Sequence, residues 1–229
     1  MKTLLALMLL VSFESQASFN RFWVGYKKEN LSTSEFLSGL NHRLFPDTIL
    51  VNGGRGLTAY QPFITLVVPG LPAEIALVMY ESEEKYKAIR STPEGEAYGN
   101  LHWDFFQKET SKSTVAIPFT GTLAVGGAYQ VNPSFTGWKQ GATFVGIYEN
   151  NQRDLRGLSQ LYARIRQENG LNDAIILVTD KWIMEYRSYR SNAAQIRPLP
   201  LRALSLKVLP ATNLGGQSVG LGEGANIRF

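Results

Sequence analysis

The apolar positions change period several times along the first half of the chain, and each change marks an element. Phe22, Val24 and Tyr26 alternate with Trp23 and Gly25, the period-two pattern of a strand running to Lys28. Ser32-Thr33-Ser34-Glu35 has the form of a capping box, in which the serine accepts from the amide three residues on and the glutamate reaches back. The helix it opens carries Phe36, Leu37, Leu40 and Leu44 on one face and is expected to stop before Pro46. A turn at Asn52-Gly53-Gly54-Arg55-Gly56 leads into two apolar runs, Tyr60 to Val68 and Glu74 to Glu81. Pro69-Gly70-Leu71-Pro72 between them reads as a hairpin connection. Ser82 caps a helix over Glu83 to Arg90, and Thr92-Pro93 starts another that runs to about Lys108, with Tyr98, Leu101 and Phe105 on one face. A strand near Thr114 to Thr120 completes the order β-α-β-β-α-β.

The pattern then partly repeats. Leu123 to Lys139 is a glycine-rich connection with a short strand near Ala128 to Val131. Ala142 to Tyr148 is a strand, and Asp154 caps a helix with Leu155, Leu158, Leu161, Tyr162 and Ile165 inward and Gly170 at its stop. Ala174 to Val178 and Trp182 to Tyr189 are strands joined across Thr179-Asp180-Lys181; Ser191 to Gln195 is what remains of a second helix, and Leu201 to Leu209 is the last strand. This layout, from Phe22 to Leu209, resembles tandem ferredoxin-like (split βαβ) units as in the dimeric α+β-barrel proteins, where two such sheets pair. The resemblance is one of element order. It implies an α+β fold of antiparallel sheets with helices packed on one face. It carries over no functional residue, because this fold hosts many unrelated activities. The expected organisation is a signal peptide at 1–17, a first unit at 18–122, a connection at 123–141, a second, partial unit at 142–209 and a tail or final strand at 210–229.

The two ends change the picture of where the chain acts. Met1-Lys2, the apolar run Leu4 to Phe13 and Ser15-Gln16-Ala17 form the three parts of a secretory signal, which predicts export to the periplasm or cell envelope of a bacterium. The run is shorter than the roughly 20 residues that span a bilayer. With no cysteine in the chain there is no disulfide, thiolate metal site or thiol nucleophile, so the core must hold the fold. The net charge of +4 is dispersed, without the concentrated basic face that nucleic acid requires. At the other end Val219, Leu221, Ala225, Ile227 and Phe229 alternate with Gly220, Gly222, Gly224, Asn226 and Arg228, and the pattern resembles the last strand of bacterial outer-membrane barrels. The helices take up too much of the chain for a complete barrel. The tail is expected to be a mobile segment, a final edge strand or a strand added to a partner.

Chemistry-bearing residues are sparse. His42 lies beside Arg43 on the polar side of its helix. His102 sits in Leu101-His102-Trp103-Asp104, with Tyr98 one turn before it, where it can line a pocket between helix and sheet. The candidate ligand-binding set is His102, Trp103, Tyr98, Tyr86 and Tyr60, since tyrosine and tryptophan offer an apolar face with a polar handle. Asp154, Asp173 and Asp180 read as caps and turns. No Gly-x-Ser-x-Gly elbow occurs, and Gly53-Gly54-Arg55-Gly56 lacks the lysine and the strand–helix context of a phosphate loop. No cofactor and no metal is expected. These observations predict an exported, non-enzymatic module that binds a ligand or another protein. The alternatives are a small-molecule or haem-handling enzyme with its pocket near His102, and an outer-membrane-associated protein that uses its C-terminal strand. The expected partners are an envelope protein or a small molecule, the outer membrane through residues 213–229, and a second copy of the chain at an exposed strand edge.

Overall fold

A computed structural model describes residues 18–66, 68, 70–138, 141–150, 155–190, 197–210, 218–221 and 226–228. The first unit comprises β1 (Phe19–Gly25), α1 (Thr33–Gly39), α2 (Phe45–Asn52), β2 (Leu57–Ile64), β3 (Glu74–Tyr80), α3 (Glu83–Arg90), α4 (Pro93–Phe105) and β4 (Lys112–Pro118). Its strands lie in the order β2-β3-β1-β4, and each pair is antiparallel. That is the pairing a ferredoxin-like unit requires. The caps at Ser32 and Ser82 form as the sequence predicts, and Thr92 caps α4 in the same way, each side chain accepting from a backbone amide three residues on.

One local expectation is overturned. The chain does not leave the helix before Pro46. Leu40–Leu44 widens into a π-helical segment, in which the Phe45 amide donates back to the Leu40 carbonyl, and Pro46 enters the first turn of α2. The wider turn lets the proline sit where its missing N–H is not needed, so the helix continues instead of ending.

After β5 (Ala128–Gln130), the second unit runs through β6 (Ala142–Glu149), α5 (Leu155–Ile165), β7 (Leu171–Val178), β8 (Trp182–Tyr189) and β9 (Ala203–Pro210). The order β7-β8-β6-β9 repeats that of the first unit, again with antiparallel pairs. Asp154 and Ser191 to Gln195 lie outside the described residues. β5 joins the two units, pairing in parallel with β4 and antiparallel with β7. The described parts of the tail, β10 (Ser218–Leu221) and β11 (Asn226–Arg228), extend the first unit's own sheet: β10 runs parallel to β2, and β11 pairs with β10.

The long sheet curls, and its two faces have separate cores. Phe22, Val24, Phe63, Ile75 and Leu77 from the first unit pack against Val145, Ile147, Ile175, Leu177 and Tyr186 from the second, so the inner faces bury one another. Tyr186 fixes this contact, because its hydroxyl lies 3.1 Å from the Gln61 carbonyl and 3.2 Å from that of Ile75. The outer face of the first sheet lies under α1, α2, α3 and α4, and that of the second under α5.

Asp173 corrects a second expectation. It is fully buried and caps no exposed turn; its carboxylate accepts from Gln130 Nε2 at 2.7 Å, from the amides of Asn132 and Ala174 at 2.8 Å, and from the Trp138 indole at 3.3 Å. Burial pushes this carboxyl up to about 7, against the pull of these donors, three of which come from the connection between the units.

Candidate functional site

Period two decides which side chains reach the helix side of the first sheet. On β1, Phe22 and Val24 turn to the inner core, so Arg21 and Trp23 turn outward. On β3, Ile75 and Leu77 point inward, while Ala76, Val78 and Tyr80 point outward. Helix α4 lays Tyr98, His102 and Phe105 over this face, and α3 adds Tyr86 and Ile89. Between sheet and helices remains a cavity of about 190 Å3, lined chiefly by Arg21, Trp23, Tyr86, Arg90, Tyr98 and His102, with Trp103 and Ser113 at its margin.

His102 is the group with base chemistry in this cavity. Its Nδ1 lies 3.1 Å from the Tyr98 carbonyl one turn back. A carbonyl only accepts, so Nδ1 carries the proton and Nε2 is left as the acceptor of the ring. The Trp23 and Tyr98 rings meet the imidazole edge-on, each at 4.9 Å. Burial pushes the His102 pKa down to about 4; the hydrogen bond to Tyr98 opposes the shift, and the charges of Arg90 and Arg21 add to it. The imidazole is therefore neutral at pH 7.

The two arginines are held differently. Arg21 stacks its guanidinium over the Tyr86 ring at 4.1 Å. Arg90 donates to the Gly95 carbonyl at 2.8 Å and lies against Gly99, where a Cβ would come within 1.9 Å of Nη2. Neither has a carboxylate partner among the described residues.

A buried polar layer backs the cavity. The Tyr98 hydroxyl is 2.9 Å from Thr48 Oγ1, and Tyr80 donates to Asn52 Oδ1 at 3.2 Å. Tyr60 donates to Glu74 Oε1 at 3.0 Å. Burial pushes the Glu74 carboxyl up to about 8, against the weaker pull of Tyr60 and of the Trp23 indole. Trp23 is near enough to act on that charge but falls short of hydrogen-bond geometry, leaving its Nε1 and Glu74 Oε2 both buried without a partner.

His102, Trp103, Tyr98 and Tyr86 thus line one cavity, while Tyr60 stands in the layer behind it. Sequence reasoning missed Arg21 and Arg90 as members of this set and did not select Trp23 and Tyr80 from among the aromatics of the first unit. Strand alternation places Arg21 beside Trp23 on one face, but nothing local says that helices will roof that face. His42 is exposed and bonded to Ser38. Among the described residues no three His, Asp or Glu side chains converge as metal ligands, and no helix is long and apolar enough to cross a membrane. A cavity of about 190 Å3 falls below the roughly 300–1,000 Å3 typical of drug-sized ligands, which favours a small occupant.

No family model matches the chain, and no curated protein matches it. Solved structures do. One from Fusobacterium nucleatum, described as a "putative monooxygenase", has 9% identity and a TM-score of 0.42, covering 76% of each chain. Another with that description, from Lactobacillus acidophilus, has 8% identity and a TM-score of 0.42, covering 84% of this chain and 92% of its own. A dimeric ferredoxin-like protein of unknown function from Bacteroides fragilis has 15% identity and a TM-score of 0.36, covering 44% of this chain and 95% of its own. The fold is α+β and ferredoxin-like. The expectation of a non-enzymatic binding module is corrected: two of the similar structures are described as putative monooxygenases, which are enzymes. The physical reason is that the cavity draws its polar groups from β1, α3 and α4, so the absence of a contiguous catalytic motif was no sign of a non-catalytic chain.

Proposed function

We propose that the cavity at His102 is the active site of an enzyme that removes a proton from a small, largely apolar molecule. Nε2 takes the proton, the electron pair stays on the substrate as an enolate or phenolate, and the imidazolium returns the proton to the product or to water. The observation that carries the reading is a histidine held by its Nδ1 at the Tyr98 carbonyl, which leaves Nε2 as the acceptor, in an aromatic-walled cavity. A base with a low pKa is a weak acceptor in isolation, but the two nearby cations stabilise the anion it generates. Tyr98, Tyr86 and Trp103 supply walls; Tyr60, bonded to Glu74, stands behind them and does not touch the cavity.

The test is solvent-exchange NMR of one- and two-ring carbon acids and phenols in deuterated buffer. Deuterium uptake at an acidic C–H is expected with the native chain and is lost at least about a hundredfold in His102→Gln, the lower end of what a general base contributes. Equal exchange with both proteins, or none with either, sinks the reading.

Export is carried by residues 1–17 alone and is decided by N-terminal sequencing of the mature protein, with Ser18 as the expected first residue. A homodimer has to use a surface other than the inner faces, which the two units of one chain bury against each other.

A further inference from the structure

Resting on that reading, we propose that the cavity is selective for small aromatic anions, carboxylates or phenolates of one or two rings, with the negative charge held between Arg21 and Arg90.

Two arginines line the cavity and no carboxylate does. Three acidic groups on the roofing helices pair away from the cavity: Glu83 with Lys87 at 2.9 Å, Glu94 with Arg55 at 4.0 Å and Asp104 with Arg43 at 2.8 Å, while Glu84 and Glu96 are exposed and do not line it. The buried arginine of the second unit shows the contrasting arrangement. Arg187 is bidentate to Glu185, through Nε at 2.9 Å and Nη2 at 2.8 Å, and its charge is matched by the protein itself. In the first unit the charge is left open.

Arg21 and Arg90 are half-buried, and a ligand that fills the cavity strips water from their guanidinium groups, which costs free energy unless an anion compensates it. An arriving carboxylate recovers that cost and gains charge-assisted hydrogen bonds. A neutral molecule of the same shape leaves both cations unmatched. Arg90 is also placed for the purpose by its surroundings. Gly99 on α4 leaves the space its guanidinium occupies, and the Gly95 carbonyl fixes Nη1. Ser113 does not compete for the anion, because its hydroxyl donates to the Phe22 carbonyl at 3.0 Å. The aromatic part of the class follows from the walls, Trp23, Tyr86 and Tyr98, and its size follows from the volume of about 190 Å3.

The probes are naphthoate and naphthamide, which share shape and differ in charge. Binding to the full chain is read from tryptophan fluorescence, since Trp23 and Trp103 line the cavity, and from the His102 ring signals in NMR. Naphthoate is expected to bind at least about tenfold tighter than the amide, and its charge is expected to raise the His102 pKa. Arg21→Gln and Arg90→Gln should each remove the preference, whereas Arg21→Lys, which keeps the charge, should retain part of it. Circular dichroism confirms that each variant is folded. If the amide binds as tightly as naphthoate with the His102 signals perturbed, the anion proposal is overturned while the cavity remains a binding site. If neither probe binds and solvent exchange is also absent, both readings fall together.

Discussion

At the scale of single residues, burial keeps two titratable groups uncharged, and each leaves its own mark on stability. His102 has an ordinary pKa near 6.5 when unfolded and about 4 when folded. Between those values the unfolded chain binds the extra proton. The fold therefore has this contribution in full above pH 6.5 and loses it as the pH falls toward 4. His102→Gln should flatten that acid limb, read from urea midpoints at pH 4.5 and 7. Glu74 works in the opposite sense. Its folded pKa of about 8 lies above the unfolded 4.5, so the native state holds the proton more tightly. The penalty of charging it grows as the pH rises from 4.5 through 8. Glu74→Gln keeps the acceptor for Tyr60 and removes the charge, and it should gain on the order of a few kcal/mol over the native chain at pH 9. Parallel pH profiles for the two proteins would show that Glu74 is not held neutral.

The corner between α3 and α4 shows how one element sets the chemistry of another. Two glycines on α4 face α3 with different neighbours. A Cβ at Gly95 would lie 1.9 Å from the Ile89 carbonyl oxygen, which is backbone, whereas at Gly99 it would meet only the tip of Arg90. Gly95→Ala should therefore cost several kcal/mol, because the helix-to-helix approach must open. Gly99→Ala should leave stability unchanged or slightly higher, since alanine favours the helix by about 1 kcal/mol. It should still weaken naphthoate binding by displacing Arg90. Thermal unfolding of the two variants, with the binding titration on Gly99→Ala, separates the effects; equal losses of stability would contradict the geometry. The π segment before α2 is a similar device, since it lets the chain pass Pro46 and deliver Thr48 and Asn52 to the layer behind the cavity.

For the whole molecule, the inner faces make the two units dependent on each other. A chain of residues 18–122 alone would expose Phe22, Val24, Phe63, Ile75 and Leu77. It is expected to self-associate or aggregate at concentrations where the full chain does not, a difference that light scattering detects. The second unit is held from within. Glu185 and Arg187 are both fully buried, and Tyr148 also donates to Glu185, at 2.9 Å. Removing one partner leaves a buried charge unmatched, so Arg187→Met should cost about 3–5 kcal/mol, while changing Glu185 and Arg187 together to apolar residues should cost much less. A double variant as unstable as the single one would count against a pairing role.

The sequence by itself determined the elements and their order. Caps at Ser32 and Ser82, the alternation at Phe22 and Val24 and the apolar run from Glu74 to Glu81 are local signals, and local physics reads them. Local rules failed where a neighbour in space supplied what the chain lacked: a widened turn for Pro46, and four donors for Asp173. His102 and three of its aromatic neighbours were legible, because helical spacing groups Tyr98, His102 and Trp103 and a cap places Tyr86 on the next helix. Arg21 and Arg90 were not. A surface arginine and an arginine roofed by aromatic rings look alike in sequence, and only the packing of α3 and α4 on β1 and β3 decides which one the chain has made. Charge left unpaired in a cavity is a property of what surrounds it in three dimensions, so the tertiary structure alone could place it.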